Sequence, residues 1–439
     1  MGLFFGTDGL RGKVNEDLTQ DIAYKIGNAL SILKENPTIL IGSDTRISNT
    51  YLAIALSSGA LSGGANVIDA GVVPTAGVAY LTKKLKADYG VVISASHNSA
   101  EYNGIKVFDC NGYKLGDKEE ERIERCFIRE KTNPFPNIGT YTQDFTLIKE
   151  YRDFLIGCSQ HKFDGLTIVL DCAHGASHRV APEVFRKLGA NVIASNATYD
   201  GLKINKDCGA LYPENLARRV KRYKADMGFA FDGDADRLIA VDENGNTVNG
   251  DMIICSLAKY FNKNGLLNDS TAVGTSHTNM AIEHDLLNNG IKLIRTDIGD
   301  KYVLQKLIEK NLSLGGEQSG HVILKDLATT GDGILTAIAV TNMLISENKT
   351  MSDAMNVELY PQVNKNVIVE DKFRIINNEE LGREVAKYTA QLSGKGRIMI
   401  RASGTEPKIR IMVESQDKEL NENIANSLYK TVKSIDEQN

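Results

Sequence analysis

The string GANVI occurs twice in the 439-residue sequence, at 64–68 and at 189–193, and each copy follows a segment with a helical pattern. Each copy closes a unit in which a buried-strand pattern leads through a turn to a helix, a glycine and a second strand. Three such units begin near Thr38, Leu166 and Ser270, and the helix of the second unit is expected around Pro182 to Leu188. The glycine suits the end of a helix. The repeated order predicts paired parallel strands, each pair joined by a helix.

Units of this kind form parallel sheets that helices cover, with right-handed crossovers. Three copies predict three successive α/β domains. The last part of the chain differs, because its segments alternate apolar and polar residues as half-buried antiparallel strands do. One amphipathic helix is expected between these strands and another after the last of them. The predicted domains are 1–150, 151–252 and 253–360, all α/β with parallel-rich sheets, and 361–439, which is α+β.

Composition excludes several classes of protein. The net charge is −5 and there is no long basic run, which argues against a nucleic-acid partner. The six cysteines form no C-x-x-C pair, as is typical of reduced thiols in the cytoplasm. The N-terminus has no signal-peptide pattern, and no stretch approaches about 20 apolar residues, so we expect a cytoplasmic protein with no membrane partner.

The segment AFDGDADRLIAV (230–241) carries the clearest chemical signal. Asp232, Asp234 and Asp236 are hard oxygen ligands that suit Mg²⁺ or Ca²⁺, and Arg237 beside them suits a phosphate. An EF-hand loop is one alternative, since Glu243 falls at its twelfth position, but Arg237 stands where that loop needs glycine and the flanks are strand-like. A solvated acidic turn is the other alternative.

Three further segments could bind a sugar phosphate. IRASGTEPKIR (400–410) joins two strands through small residues between arginines, which suits a phosphate but also an ordinary hairpin. GGEQSGHV (315–322) suits sugar hydroxyls but could be a polar loop. FGTDGLRGK (5–13) brings Arg11 towards an anion or forms a tight turn.

A zinc site is a weaker possibility. Cys172, His174 and His178 lie close in the sequence, at the turn from strand to helix in the second unit. A loop and helix-cap role fits that position better. His277 lies in the matching turn of the third unit.

Four motifs in this order resemble the α-D-phosphohexomutase superfamily. They are Ser94–Asn98 in VVISASHNSAEYNGIKVF, Asp232–Arg237, Gly316–His321 and Arg401–Pro407. The likeness runs from Phe5 to Glu414. The segment Gly6–Gly12 and the glutamine of GEQSGH most resemble the bacterial members that act on glucosamine phosphates.

The resemblance implies four domains around a central cleft, each contributing one loop: the phosphoserine, metal, sugar and phosphate loops, in chain order. It implies that the enzyme interconverts glucosamine 6-phosphate and glucosamine 1-phosphate, on the route to UDP-N-acetylglucosamine and cell-wall precursors, through a 1,6-bisphosphate of glucose or glucosamine. One Mg²⁺ and a phosphoserine at Ser96 are implied, and a homodimer is the family expectation.

The expected site residues fall into three groups. Ser96, His97, Lys106 and Arg11 are the catalytic candidates, and the sequence does not rank His97 and Lys106 for proton transfer. The expected metal ligands are Ser96, Asp232, Asp234 and Asp236. The expected substrate-binding residues are Arg237, Glu317, Ser319, His321, Arg401, Ser403, Gly404, Thr405 and Arg410.

The sequence departs from the superfamily pattern at a few positions. Ser99 and Ala402 stand where proline is usual, which suggests looser loops. Ala235 replaces a common glycine, Lys301 a common arginine and His174 a usual asparagine. None of these changes removes a reacting group. Phosphomannomutase or phosphoglucomutase activity is the nearest alternative function, and a calcium-binding or phosphosugar-sensing protein without turnover is the more distant one.

Overall fold

A computed structural model describes residues 5–6, 9–128, 138–403 and 406–437. The chain divides into two compact units. The larger unit comprises residues 1–278 and 286–356, and the smaller comprises 279–285 and 357–439. None of the helices in the described ranges has the length and apolar character needed to cross a lipid bilayer.

The first sheet of the larger unit has six strands in the order β1-β5-β4-β2-β3-β6. Its strands are β1 (Leu10–Lys13), β2 (Thr38–Ser43), β3 (Asn66–Val72), β4 (Tyr89–Ile93), β5 (Tyr102–Phe108) and β6 (Tyr141–Gln143). The helices of the same stretch are α1 (Gln20–Leu33), α2 (Ser48–Ser62), α3 (Thr75–Leu85), α4 (Asp117–Ile128) and α5 (Ile148–Gly157). Strands β4, β2, β3 and β6 are parallel, β5 is antiparallel to β4, and the edge strand β1 is antiparallel to β5.

Strand β2 shows why its sequence is almost continuously apolar. Ile39 and Ile41 belong to a buried cluster on one face of the sheet, and Leu40 belongs to another on the opposite face. A parallel strand covered on both faces has no side that favours polar residues. The run TILIG therefore encodes a central strand, whose carboxyl end leads to the polar residues that follow.

The second sheet has the order β11-β10-β9-β7-β8, and the third has the order β13-β12-β14-β15. The second contains β7 (Thr167–Asp171), β8 (Asn191–Ser195), β9 (Met227–Phe231), β10 (Leu238–Asp242) and β11 (Thr247–Val248), with α6 (Ser177–Lys187) and α7 (Pro213–Tyr223). The third stretch contains α8 (Gly250–Lys263), β12 (Thr271–Thr275), α9 (Met280–Asn288), β13 (Lys292–Thr296), α10 (Asp300–Glu309), β14 (Leu314–Gly316), β15 (Val322–Leu324), α11 (Gly333–Glu347) and α12 (Met351–Ala354).

The smaller unit contains a three-stranded antiparallel sheet in the order β16-β18-β17. Its elements are β16 (Gln362–Ile368), α13 (Lys372–Ile376), α14 (Glu379–Leu392), β17 (Gly396–Ala402), β18 (Lys408–Ser415) and α15 (Lys418–Glu437). Ile409, Ile411 and Val413 alternate along β18 and pack with Leu428 and Val432 of α15. The alternation that predicted half-buried strands here is confirmed.

The three predicted strand-helix-strand units are present as parallel pairs. β2 pairs with β3, β7 with β8, and β12 with β13. Gly64 and Gly189, the glycines of the two GANVI strings, follow their helices with φ of 87° and 106°, a backbone region that favours glycine. The α/β fold class with a C-terminal α+β domain is confirmed.

One predicted helix boundary is wrong. The helix placed around Pro182 begins five residues earlier, at Ser177, so that the proline lies inside α6. Proline removes only one backbone donor, and α6 buries Val180, Ala181, Val184 and Phe185. Packing of that apolar face outweighs the missing hydrogen bond.

A buried carboxyl group caps α11. The Oδ1 of Asp332 accepts from the backbone N–H of Leu335 at 2.9 Å, and the hydroxyl of Tyr151 on α5 donates to Oδ2 at 2.7 Å. Burial raises the pKa of Asp332 to about 6. A carboxyl group whose pKa rises from 3.8 to about 6 lowers folding stability by up to about 3 kcal/mol at neutral pH.

We expect Asp332→Asn to alter how stability depends on pH. The folded state holds the Asp332 proton more tightly than the unfolded state, so the wild-type protein loses stability as pH rises from about 4 to about 6. Asparagine keeps the capping oxygen and does not ionise. The thermal unfolding midpoint of the variant, relative to wild type, should therefore increase between pH 4 and pH 7. A difference from wild type that does not change with pH would contradict this account, and the exposed Asp353→Asn serves as the control substitution.

Candidate active site

The loop between β4 and β5, residues 94–101, carries Ser96 at its start; we call it the Ser96 loop. Ser94 is fully buried, and its Oγ donates to Asp44 at 2.5 Å while accepting from the backbone N–H of Ser96 at 2.9 Å. The Oγ of Ser96 instead donates to Oδ2 of Asp232 at 2.5 Å. Of the two serines, only Ser96 therefore presents its hydroxyl to the acidic loop.

The loop between the antiparallel strands β9 and β10 holds the three aspartates. All three are buried, and one oxygen from each carboxyl lies within 4.8 Å of the others. The Oδ1 atoms of Asp234 and Asp236 are buried and accept no hydrogen bond from the described residues. Buried anionic oxygens without donors fit a hard divalent cation such as Mg²⁺. The flanking elements are strands, so the EF-hand alternative is wrong.

Lys106 supplies the nearest fixed positive charge. Its Nζ donates to Oδ2 of Asp234 at 3.0 Å and to Oδ2 of Asp236 at 3.2 Å, and its side chain is 1% exposed. Burial and the two neighbouring carboxylates raise the pKa of Asp232. Burial acts in the same direction on Asp236, but Lys106 and His321 hold its pKa well below the usual range.

Thr75, at the start of α3, was missed by sequence reasoning. Its Oγ1 donates to Oδ2 of Asp234 at 2.7 Å, and its backbone N–H donates to the Asp234 carbonyl at 3.0 Å. The residue lies 159 positions from its partner. The PTAG segment carries no pattern that distinguishes it from any other helix start.

His97 is neutral at physiological pH. Burial, with Arg237 and Arg11 nearby, lowers the pKa of its imidazole to about 4. Its Nδ1 lies 3.5 Å from Ser96 Oγ. A neutral imidazole at this distance can accept a proton. Arg11 lies on β1 opposite Gly104 of β5, which places it beside the strand that carries Lys106.

A cavity of about 440 Å³ adjoins the acidic loop. It brings together four of the predicted substrate-binding residues, Arg237, Glu317, Ser319 and His321, with Asp236. The Nε of Arg237 lies 4.0 Å from oxygens of Asp232 and Asp236. Burial raises the pKa of Glu317, whose Oε1 accepts from the Gly299 N–H at 3.0 Å.

The same cavity contains residues that the sequence did not single out as ligands. Thr275, His277, Gly299 and Asp300 line it at the carboxyl end of β12 and the start of α10. His277, which the sequence indicates only as a turn residue, also lines the cavity. The carboxyl ends of paired parallel strands such as β12 and β13 lie at one edge of the sheet, where ligands bind. The predicted parallel pair was therefore the sequence signal that could have identified these residues.

His321 lies between two carboxyl groups. Its Nδ1 is 3.7 Å from Asp236, its Nε2 is 3.5 Å from Asp300, and Nε2 accepts from the Gly331 N–H at 3.1 Å. Asp300 also forms an ion pair with Lys114. Burial lowers the pKa of His321, but the carboxyl groups of Asp236 and Asp300 together raise it by more than that. The pKa of His321 is therefore higher than its usual value.

The remaining predicted substrate residues belong to the smaller unit. Arg401 of β17 lies opposite Arg410 of β18, and burial together with Arg410 lowers the pKa of Arg401. Lys372 donates to the Ser403 carbonyl at 2.7 Å, a contact that the sequence did not indicate. Adjacent cations favour an anionic ligand. Gly404 and Thr405 lie outside the described residues.

The side chains of the alternative zinc site are engaged elsewhere. His178 donates from Nδ1 to the Gly175 carbonyl at 3.0 Å, and His174 Nδ1 lies 2.8 Å from Thr198 Oγ1. Burial raises the pKa of the Cys172 thiol, which disfavours a thiolate. Within the described ranges, the aspartate triplet is the one group of three metal-binding side chains.

Family models match the chain in four successive segments. Their descriptions are Phosphoglucomutase/phosphomannomutase alpha/beta/alpha domain I, II and III and the C-terminal domain, and they match residues 2–134, 148–245, 249–360 and 365–431. The chain belongs to this family of phosphohexomutases, which are intramolecular phosphotransferases.

Among its relatives, the chain is similar over nearly its whole length to bacterial proteins named phosphoglucosamine mutase. Phosphoglucosamine mutase from Caldanaerobacter subterraneus subsp. tengcongensis is 47% identical over 427 residues, covering 95% of this chain and 96% of the relative. Phosphoglucosamine mutase from Clostridioides difficile is 44% identical over 441 residues, covering 97% and 98%. Within the phosphohexomutases, the chain is a member of the phosphoglucosamine mutase family.

Solved structures show the same fold at low sequence identity. A phosphoglucomutase/phosphomannomutase family protein from Burkholderia thailandensis has a TM-score of 0.81 and 21% identity, covering 97% of each chain. N-acetylphosphoglucosamine mutase from Aspergillus fumigatus, in complex with GlcNAc-6P and magnesium, has a TM-score of 0.68 and 17% identity, covering 99% of this chain and 96% of that one.

We expect Asp234→Asn to weaken metal binding. Mg²⁺ should raise the thermal unfolding midpoint of the wild-type protein, because a ligand that binds only the folded state stabilises it. Removing one of three carboxylates should shift the Mg²⁺ dependence of that midpoint to higher concentration. Asp353→Asn, on exposed α12, serves as the control. Identical Mg²⁺ dependence in both variants would contradict the assignment of the triplet as the metal site.

Proposed function

We propose that the protein interconverts glucosamine 6-phosphate and glucosamine 1-phosphate through a phosphate carried on Ser96. The observation that carries the proposal is the 2.5 Å contact between Ser96 Oγ and Asp232, beside the buried triplet and Lys106. The choice of amino sugar is supported by relatives named phosphoglucosamine mutase at 43–47% identity over nearly their whole length.

The transfer step exchanges one bond for another. A sugar hydroxyl oxygen bonds to the phosphorus on Ser96, the bond from phosphorus to Ser96 Oγ breaks, and the hydroxyl proton passes to a base. Phosphoryl transfer depends mainly on positioning and on neutralising charge. In this proposal Arg11, Arg237 and the Lys106 ammonium group, which donates to two carboxylates, supply fixed positive charge. Neutral His97 accepts the proton of the sugar hydroxyl, and Ser96 Oγ takes up a proton as its bond to phosphorus breaks.

Ser96, once phosphorylated, and the three aspartates would hold Mg²⁺. The ion, when bound, would neutralise charge on the phosphoryl oxygens as transfer proceeds. The protein itself fixes the positions of the carboxylate oxygens. Thr75 and Lys106 donate to Asp234, and the backbone N–H of Arg237 donates to Asp232 Oδ1 at 3.2 Å.

Substrate binding in this proposal uses two groups of residues. Glu317 and Ser319 bind sugar hydroxyls with His321 beside them, and Arg401, Ser403 and Arg410 bind the phosphate that does not react. The hydroxyl that receives the first phosphate makes the sugar a 1,6-bisphosphate. That bisphosphate turns over, and its other phosphate returns to Ser96. Glucose or glucosamine 1,6-bisphosphate would also serve as an activator that first phosphorylates Ser96.

Location and assembly are also proposals. We propose the cytoplasm, because the six cysteines are few for a chain of 439 residues and form no C-x-x-C pair. A homodimer is proposed from the family resemblance alone, and light scattering of the purified protein tests it.

We expect Ser96→Ala to abolish turnover and to remove one phosphate from the intact mass. The wild-type protein should carry that phosphate on the peptide containing residues 94–98, at Ser96 rather than Ser94. Ser58→Ala, an exposed serine of α2, should leave both turnover and mass unaffected apart from the lost hydroxyl oxygen. Normal activity of Ser96→Ala would refute the assignment. Ligand binding by a wild-type protein that lacks both phosphate and turnover would favour a sensor.

We expect kcat/KM to be higher for glucosamine 1-phosphate than for glucose 1-phosphate or mannose 1-phosphate. The buried Glu317 carboxyl group lies in the cavity beside the acidic loop, where it can accept from an amino group or a hydroxyl. Initial rates on the three phosphates under one set of conditions provide the measurement. A higher value for mannose or glucose phosphate would instead favour the phosphomannomutase or phosphoglucomutase alternative.

A further inference from the structure

A fully buried arginine holds the backbone of the Ser96 loop. Arg46 is 1% exposed and follows β2 at its carboxyl end. Its Nη2 donates to the carbonyl oxygens of Ser96 at 3.0 Å and Asn98 at 2.7 Å. Its Nη1 donates to the carbonyls of Tyr102, at 2.9 Å, and Ser99. One planar guanidinium therefore binds four carbonyl oxygens of a single turn.

Asp44 connects this arginine to the amide of the reacting serine. Its Oδ2 accepts from Arg46 Nε at 2.9 Å and from Ser94 Oγ at 2.5 Å. Ser94 Oγ in turn accepts from the Ser96 N–H at 2.9 Å. The carboxylate also balances the buried guanidinium charge, which would otherwise carry a large desolvation cost.

Asn205 binds the same turn from a different part of the chain. It lies between β8 and α7, and its Nδ2 donates to the carbonyls of Ser96 at 2.8 Å and Asn98 at 2.9 Å. These are the two oxygens that also accept from Arg46 Nη2. The metal loop approaches here as well, since a Cβ added at Gly233 would lie 2.5 Å from the Ser96 carbonyl oxygen. The position of Ser96 is thus tied to the sheet that carries the aspartates.

Such support has a physical reason. Ser96 has φ of 50°, a left-handed conformation that costs a non-glycine residue about 1–3 kcal/mol and persists only where its surroundings impose it. Phosphoryl transfer is sensitive to placement, and a displacement of about 1 Å can lower a rate about 100-fold. A strained residue at the reacting atom therefore requires external anchors.

We propose that Asp44, Arg46 and Asn205 are positioning residues that fix Ser96 for phosphoryl transfer without contacting the substrate. Arg46 and Asn205 bind the backbone of the Ser96 loop, and Asp44 binds Arg46 and Ser94. The inference rests on the proposed function of Ser96. It concerns the choice between two acceptors: a sugar hydroxyl, which must be aligned, and water, which needs no alignment. With water, its oxygen bonds to phosphorus, the bond to Ser96 Oγ breaks and a proton passes to that Oγ, so that inorganic phosphate and unphosphorylated Ser96 result.

The test compares Asn205→Ala with Asn28→Ala. Asn28 is a matched control, because it is also a buried asparagine whose Nδ2 donates to a backbone carbonyl, but it lies on α1 and donates to Gly59 of α2. Each phosphorylated variant is incubated in buffer alone and with glucosamine 1-phosphate. Release of inorganic phosphate measures hydrolysis, and appearance of glucosamine 6-phosphate measures transfer.

We expect Asn205→Ala to lower kcat by about tenfold or more with KM unchanged, and to raise the ratio of hydrolysis to transfer. Arg46→Lys, which keeps the charge beside Asp44 but loses the planar fork, should act in the same direction. Partial unfolding lowers hydrolysis and transfer together, so it leaves their ratio constant.

An Asn205→Ala ratio equal to that of Asn28→Ala would overturn the inference. Failure of the proposed function is distinguishable, because the wild-type protein would then carry no phosphate on Ser96 and would transfer none.

Discussion

Mutual repulsion among three buried carboxylates is the constraint on which the active site depends. Asp232, Asp234 and Asp236 lie on one short hairpin loop and are buried, and Lys106 donates to two of them. Lys106 and Arg237 offset part of that charge in a site of low polarity, but the Oδ1 atoms of Asp234 and Asp236 accept no hydrogen bond from the described residues. The three carboxylates therefore favour a further positive charge beside them. The hydroxyl of Ser96, which donates to Asp232, lies where that charge would act on the Ser96 oxygen.

The chain surrounds this loop with supports from other segments. Thr75 anchors Asp234 from a helix terminus, Lys106 reaches in from an edge strand, and His321 stands against Asp236 from the third sheet's region. Each contact joins residues more than 80 positions apart in the sequence. The acidic loop acquires its geometry from the packing of three sheets, and the two strands beside it supply only its ends.

Much of this architecture could be predicted from the sequence. The strand-helix-strand units, the antiparallel C-terminal strands and the aspartate triplet all have local patterns, because periodicity and turn residues are properties of adjacent positions. Thr75, Asn205 and Asp300 have no such pattern. Their roles depend on which distant atoms the fold brings near, and a single threonine or asparagine gives no sign of that. Pro182 shows the opposite error, since local propensity placed a helix start where tertiary packing extends the helix past the proline.

Arg46 and Asn205 hold the Ser96 loop through its main-chain oxygens. Arg46 and Asn205 contact carbonyl groups that every amino acid possesses, so the path of the turn is dictated from outside it. A proline at position 99 would stiffen the turn from within, and its absence here costs little when four carbonyls are already fixed. Ser99 contributes its main-chain carbonyl to this network, whereas the arginine 53 residues earlier contributes its side chain, so a substitution at Arg46 removes all of its contacts with the loop.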